Sequence, residues 1–187
     1  MAEVKSDRAL EPRAERRSAT LIRGLSHAAI RVKDIETTRS FYEGLLDLPM
    51  THARVASYTT ESGENRKFIH AFFEMGEGFV AFFEVVGTKD KPFQQSGDNV
   101  ETHFAMRVSS EDDLRKFEKK LKDAGVKCEV IRHAWCTSLY FNDPDDWPLE
   151  IAHHFDEADT VLDEAEIARD NFAKWLAENP RNALAST

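Results

Sequence analysis

The chain has 187 residues, 41% hydrophobic and 32% charged, with a net charge of −9. That length carries one domain with a full core, and the acidic balance offers no basic face to a nucleic acid. No apolar run approaches the roughly 20 residues that span a bilayer, and the N-terminus lacks the apolar core of a signal peptide. Cys128 and Cys136, the only cysteines, are too few for a disulfide framework, so a cytoplasmic setting is expected.

In chain order, residues 1–20 read as a flexible charged arm without periodicity. Residues 21–155 alternate strand-like and helix-like patterns in two modules, 22–87 and 100–154. The first module opens with "SHAAIRV", a short strand, and passes at Asp34, a suitable N-cap, into a helix whose buried face is Ile35, Thr38, Phe41 and Leu45. "KFIHAFFEMGEGFVAFFEVV" then reads as a hairpin turning at Gly76-Glu77-Gly78. The second module opens with "THFAMRV". Its helix is capped by Ser110 with Asp113, buries Leu114, Phe117 and Leu121, and stops at Gly125. "SLYFNDPDDWPLEIA" closes it as a second hairpin, turning at Asn142-Asp143-Pro144-Asp145. Residues 156–187 read as a C-terminal helix and tail. Val161, Ala165, Ala168, Phe172 and Trp175 form one apolar stripe there, started by Asp159 or Thr160 and ended at Asn179-Pro180. The stripe is expected to dock on the domain or on a second subunit.

The two modules repeat each other. At an offset of 76 residues His27 falls on His103, Ala29 on Ala105, Arg31 on Arg107 and Phe41 on Phe117. The last strand of each module carries a glutamate in an apolar setting, Glu84 in "FFEVV" and Glu150 in "PLEIA". A carboxylate there is costly to bury without a partner. Strand alternation gives His27, Ala29 and Arg31 one face, and His103, Ala105 and Arg107 the matching face. Two imidazoles with one or two carboxylates make a good site for a divalent first-row ion. The other reading of Glu150 is an ion pair with Arg31 or Arg107.

On "SHAAIRVKDIETTRSFYEGLL", "THFAMRV" and "SLYFNDPDDWPLEIA", the chain resembles the vicinal oxygen chelate superfamily of glyoxalases, epimerases, extradiol dioxygenases and drug-resistance proteins. The resemblance covers residues 22–154. It implies an α+β fold in which two βαβββ modules form an open, metal-centred barrel, followed here by the amphipathic helix. It implies the metal ligands His27, His103 and Glu150, with Glu84 as a fourth ligand or as an acid–base residue off the metal. It implies active-site roles for Tyr140, ten residues before Glu150, and for His133 or His70 as the acid–base histidine. His52, His153 and His154 read as surface residues or minor strand-end contacts. The chain departs from the family's Asp-Pro-Asp-Gly turn, with Asp146 at the glycine position. Asp tolerates a left-handed conformation, so the turn survives. Pro148 points to an edge or a bulge.

The resemblance implies a metal-dependent enzyme, most of all an extradiol-type dioxygenase using Fe(II) on a catechol-like aromatic, working as a homodimer. A glyoxalase- or epimerase-type lyase or isomerase using Zn(II), Ni(II), Co(II) or Mn(II) is the alternative. A drug-binding protein without catalysis is the third, and retention of the polar positions argues against it.

Overall fold

A computed structural model describes residues 25–88, 102–156, 162 and 164–178. Residues Leu25–Phe155 form one compact unit, and the described residues after it belong to a second unit. The expected arm at 1–20, the caps Asp159 and Thr160, Val161 and the stop at Asn179-Pro180 lie outside the described residues.

The first module runs β1 (His27–Arg31), α1 (Ile35–Arg39, continuing as a π-helical turn over Ser40–Leu45), β2 (Met50–Thr59), β3 (Asn65–Met75) and β4 (Gly78–Val85). The second runs β5 (Phe104–Val108), α2 (Glu111–Asp123), β6 (Cys128–Arg132), β7 (Cys136–Asn142) and β8 (Pro148–His154). Each makes a four-stranded sheet, in the orders β1-β4-β3-β2 and β5-β8-β7-β6. The first strand is parallel to the last in both, and the remaining pairings are antiparallel. This is the expected βαβββ repeat, and the two sheets are not closed into one.

Local chemistry accounts for the element ends. Asp34 accepts the Thr37 N–H at 2.8 Å and starts α1. Ser110 accepts the Asp113 N–H at 3.1 Å while donating its own proton to the Asp113 carboxylate, a reciprocal cap on α2. Gly125, at φ 76°, ends α2, and Asp146, at φ 67°, takes the left-handed position in the β7–β8 turn. Pro148 is the first residue of β8, which is an interior strand rather than an edge. At that position proline spoils no ladder bond inside the strand, so neither an edge nor a bulge is needed.

Each helix covers one face of its sheet. Ile30, Val32, Phe73, Val80 and Phe82 of the first sheet, and Met106, Leu139, Phe141, Leu149 and Ile151 of the second, merge in one core. The expected buried face of the first helix is incomplete. Tyr42 is fully buried next to buried Phe41, because the widened turn at Ser40–Leu45 lets two consecutive residues face inward. The Tyr42 hydroxyl donates to Asp143 Oδ2 at 3.0 Å, tying the first module to the turn of the second.

The helix α3 (Ala165–Glu178) has no buried residue, and Phe172 and Trp175 are each 61% exposed.

Candidate metal centre

The face of each sheet opposite its helix carries the polar chemistry. In the second sheet, strand register sets Glu150 beside Ala105 and Tyr140, and Ser138 beside Ala152. Alternation then puts His103, Glu150, Tyr140, Ser138 and Cys136 on one open face. Glu150 is only 5% exposed, and both of its carboxylate oxygens have polar partners. The Ser138 hydroxyl donates to Oε1 at 2.5 Å, and His103 Nε2 lies 3.0 Å from Oε2. The partners are thus a histidine and a serine, not Arg31 or Arg107.

The His103–Glu150 separation suits a metal. Two donors each roughly 2.1 Å from a common ion at a right angle lie roughly 3 Å apart. One imidazole nitrogen and one carboxylate oxygen are also the donor types a divalent first-row ion selects. Tyr140 and His133 stand beside this pair. The Tyr140 hydroxyl and His133 Nε2 are 3.0 Å apart, and the rings of Tyr140 and His103 meet edge to face at 5.9 Å. Burial pushes the Tyr140 phenol above its ordinary value. The Ser138 hydroxyl pulls it back and the Glu150 charge pushes it up again, so the phenol keeps its proton at neutral pH.

The open face of the first sheet holds His27, Phe79, Phe83, Phe72 and His70, by the register of β1, β4 and β3. His27 is exposed, with Ser26 Oγ 3.2 Å from its Nδ1. His70 stacks on Phe83 at 3.6 Å, and its ring lies 6.4 Å from that of His27. Burial holds the His70 imidazole below its ordinary value, and the charges of His27 and His52 add to the effect. Its Nε2 is buried without a hydrogen-bond partner. His52 lies on the same face, with its ring 5.7 Å from Phe72.

The structure brings His103, Glu150, Tyr140 and His133 together, and separately gathers His27 with His70. It does not bring Glu84 to either group. Glu84 shares a face with Phe82, as alternation requires, but that is the helix-covered face, where its Oε2 accepts the Ile35 N–H at 2.8 Å. The counterpart of Glu150 in the first module is Ala81, since Ala81 pairs with Ala29 as Glu150 pairs with Ala105. Glu84 lies three positions further on, and an odd displacement reverses the face. Among the described residues, no three His, Cys, Asp or Glu side chains converge closely enough within one chain to hold an ion. Ser138 and Cys136 are the polar neighbours that sequence reasoning missed. Their signal was the period-2 spacing with Tyr140 in "CTSLY".

Residues 24–151 match the family model of the Glyoxalase/Bleomycin resistance protein/Dioxygenase superfamily. The chain belongs to this superfamily. The vicinal oxygen chelate superfamily uses divalent metals, and the chain carries its paired modules. It is 31% identical over 133 residues to the metallothiol transferase FosB of Bacillus licheniformis, covering 70% of this chain and 75% of that protein. Among solved structures, the fosfomycin resistance protein FosX of Listeria monocytogenes superposes with a TM-score of 0.54 at 21% identity, over 74% of this chain and 98% of that one. A second structure of that protein, complexed with Mn(II) and sulfate, gives a TM-score of 0.52 at 20% identity, over 75% and 99% of the two chains. At these identities the solved structures establish the fold alone.

Proposed function

We propose that this chain is a divalent-metal enzyme that takes a small molecule through two adjacent oxygens, and that ring cleavage of a catechol-like aromatic is the reaction its geometry supports best. The observation that carries this reading is the Tyr140–His133 hydrogen bond of 3.0 Å, beside the strand pair that places Tyr140 next to Glu150. Tyr140, held protonated, is a donor to a substrate oxygen, and His133 is the group that takes or returns the proton. Phe72, Phe79, Phe83 and His70 supply an aromatic wall on the face that bears His27.

His103, Glu150 and His27 are the proposed ligands. A divalent ion held by these residues would polarise substrate oxygens as a Lewis acid and, as Fe(II), would supply the one-electron chemistry that dioxygen requires. Zn(II), Ni(II), Co(II) and Mn(II) suit the same donors. Because one chain leaves His27 apart from His103 and Glu150, the ligand set is completed in a homodimer, with His27 contributed by a second copy. The exposure of Tyr58 (43%) and Phe79 (37%) on the open face of the first sheet supports such a contact. Mixing inactive H27A and E150Q chains should then restore part of the activity, and failure to do so overturns the shared site.

The likeness to the metallothiol transferase FosB favours a second reading, transfer of a thiol with a Lewis-acid metal, and the fold shared with fosfomycin resistance proteins makes fosfomycin the acceptor to try. Two assays separate them. Oxygen uptake with a panel of catechols after Fe(II) reconstitution supports ring cleavage. Consumption of an added low-molecular-weight thiol in the presence of fosfomycin and Mn(II), without oxygen uptake, replaces it with thiol transfer.

A further inference from the structure

We propose that Ser138 is a positioning residue for the metal-binding carboxylate. Its hydroxyl fixes Glu150 so that Oε2 is presented beside His103, and the Cys136 thiol holds that hydroxyl in place. This inference rests on the metal reading of His103 and Glu150.

The hydrogen bonds have one consistent direction. Ser138 has a single hydroxyl proton, and Oγ lies 2.5 Å from Glu150 Oε1, which as a carboxylate only accepts. That proton is therefore committed to Glu150. Cys136 Sγ lies 3.4 Å from the same Oγ and must act as the donor. Burial pushes the Cys136 thiol up, so it keeps the proton this role requires. The resulting chain runs from Cys136 to Ser138 to Glu150 Oε1, while Oε2 faces His103 Nε2 at 3.0 Å.

The setting makes the hydroxyl hard to replace. Ser138 and Cys136 are both fully buried, and Ala152, across the strand pair from Ser138, is buried too. The terminal torsion of a glutamate is broad and two-fold, so the side chain alone does not fix the orientation of the carboxylate plane. A fixed donor on one oxygen sets that orientation and so aims the other at His103. The arrangement belongs to the second module only. By register, Ser138 opposite Ala152 corresponds to His70 opposite Phe83, and Glu150 corresponds to Ala81. The repeat explains the matched histidines but not this pair, which accompanies the carboxylate.

The test is Mn(II) titration of the metal-free full-length chain, followed by the loss of free-ion resonance signal, with circular dichroism to confirm the fold. S138A should weaken Mn(II) binding about 10–100-fold while the metal-free protein stays folded. If S138A does not fold, S138C, similar in volume but a weak donor, gives the same reading. C136S keeps a donor and should bind within about threefold of the parent, while C136A should bind more weakly than C136S. Parental affinity in the folded serine variant, with binding lost in E150Q, overturns the role of Ser138 and leaves the metal reading standing. Parental affinity in E150Q overturns the metal reading itself.

Discussion

Glu84 separates a helix-capping carboxylate from a metal ligand. Its Oε2 accepts the N–H of Ile35, the first residue of α1, at 2.8 Å. The neighbouring Thr37 N–H is already satisfied by Asp34. E84A removes a charged acceptor from a helix start, which costs about 1–2 kcal/mol. For a unit of this size that lowers the melting temperature by about 2–8 °C. E84Q keeps a carbonyl acceptor and should lose about half as much or less. Urea unfolding and thermal melts at neutral pH measure the first quantity, and Mn(II) titration measures the second. The expected result is lower stability in E84A with unchanged Mn(II) affinity in both variants. A tenfold loss of affinity with no loss of stability would place Glu84 at the metal and refute the assignment of faces.

Y42F deletes the buried hydroxyl bond to Asp143 and should destabilise the chain by about 1–2 kcal/mol in urea unfolding; no change would mean that this link between the modules is dispensable. Y140F should lower turnover about 10²–10⁴-fold while Mn(II) affinity stays near that of the parent, which separates proton handling from metal binding. His70 gives a pH dependence of known sign. Its imidazole is held below the ordinary value by burial first, with His27 and His52 adding to it; Arg54 is its register partner across the strand pair. Between the lowered value and about 6.5 the unfolded chain binds more protons than the folded one, so stability is full above that window and is lost as pH falls through it. H70F should flatten this slope in urea unfolding between about pH 5 and 7; an unchanged slope would assign the dependence elsewhere.

The features legible in the sequence were those with a local or strictly periodic cause. Asp34, Ser110 with Asp113, and Gly125 act within a few residues of themselves, and each sits at the helix end expected of it. The repeat and strand alternation together place His103 and Glu150 on one face. The pairing of Glu84 with Glu150 failed because similar apolar surroundings do not fix strand register, and three positions of slip turn a side chain to the opposite face. Tyr42 was missed because a regular 3.6-residue helix does not bury two neighbours equally, whereas the π-helical turn at Ser40–Leu45 does. Pro148 implied an edge strand only because a proline inside a strand costs a ladder bond, and its place as the first residue of β8 removes that cost. The stripe containing Phe172 and Trp175 shows helix period clearly, but period says nothing about what an apolar face meets.

The most direct test of the account is elemental analysis of protein purified without added metal, compared with E150Q treated identically. A bound first-row divalent metal near one per chain is expected in the parent, and its loss is expected in E150Q. Iron would direct the work to catechols and dioxygen. Manganese or zinc retained after an Fe(II) reconstitution control would direct it to the Lewis-acid reading. A parent that holds no divalent ion even after reconstitution, or an E150Q variant that holds as much as the parent, would contradict the assignment of His103 and Glu150 as metal ligands.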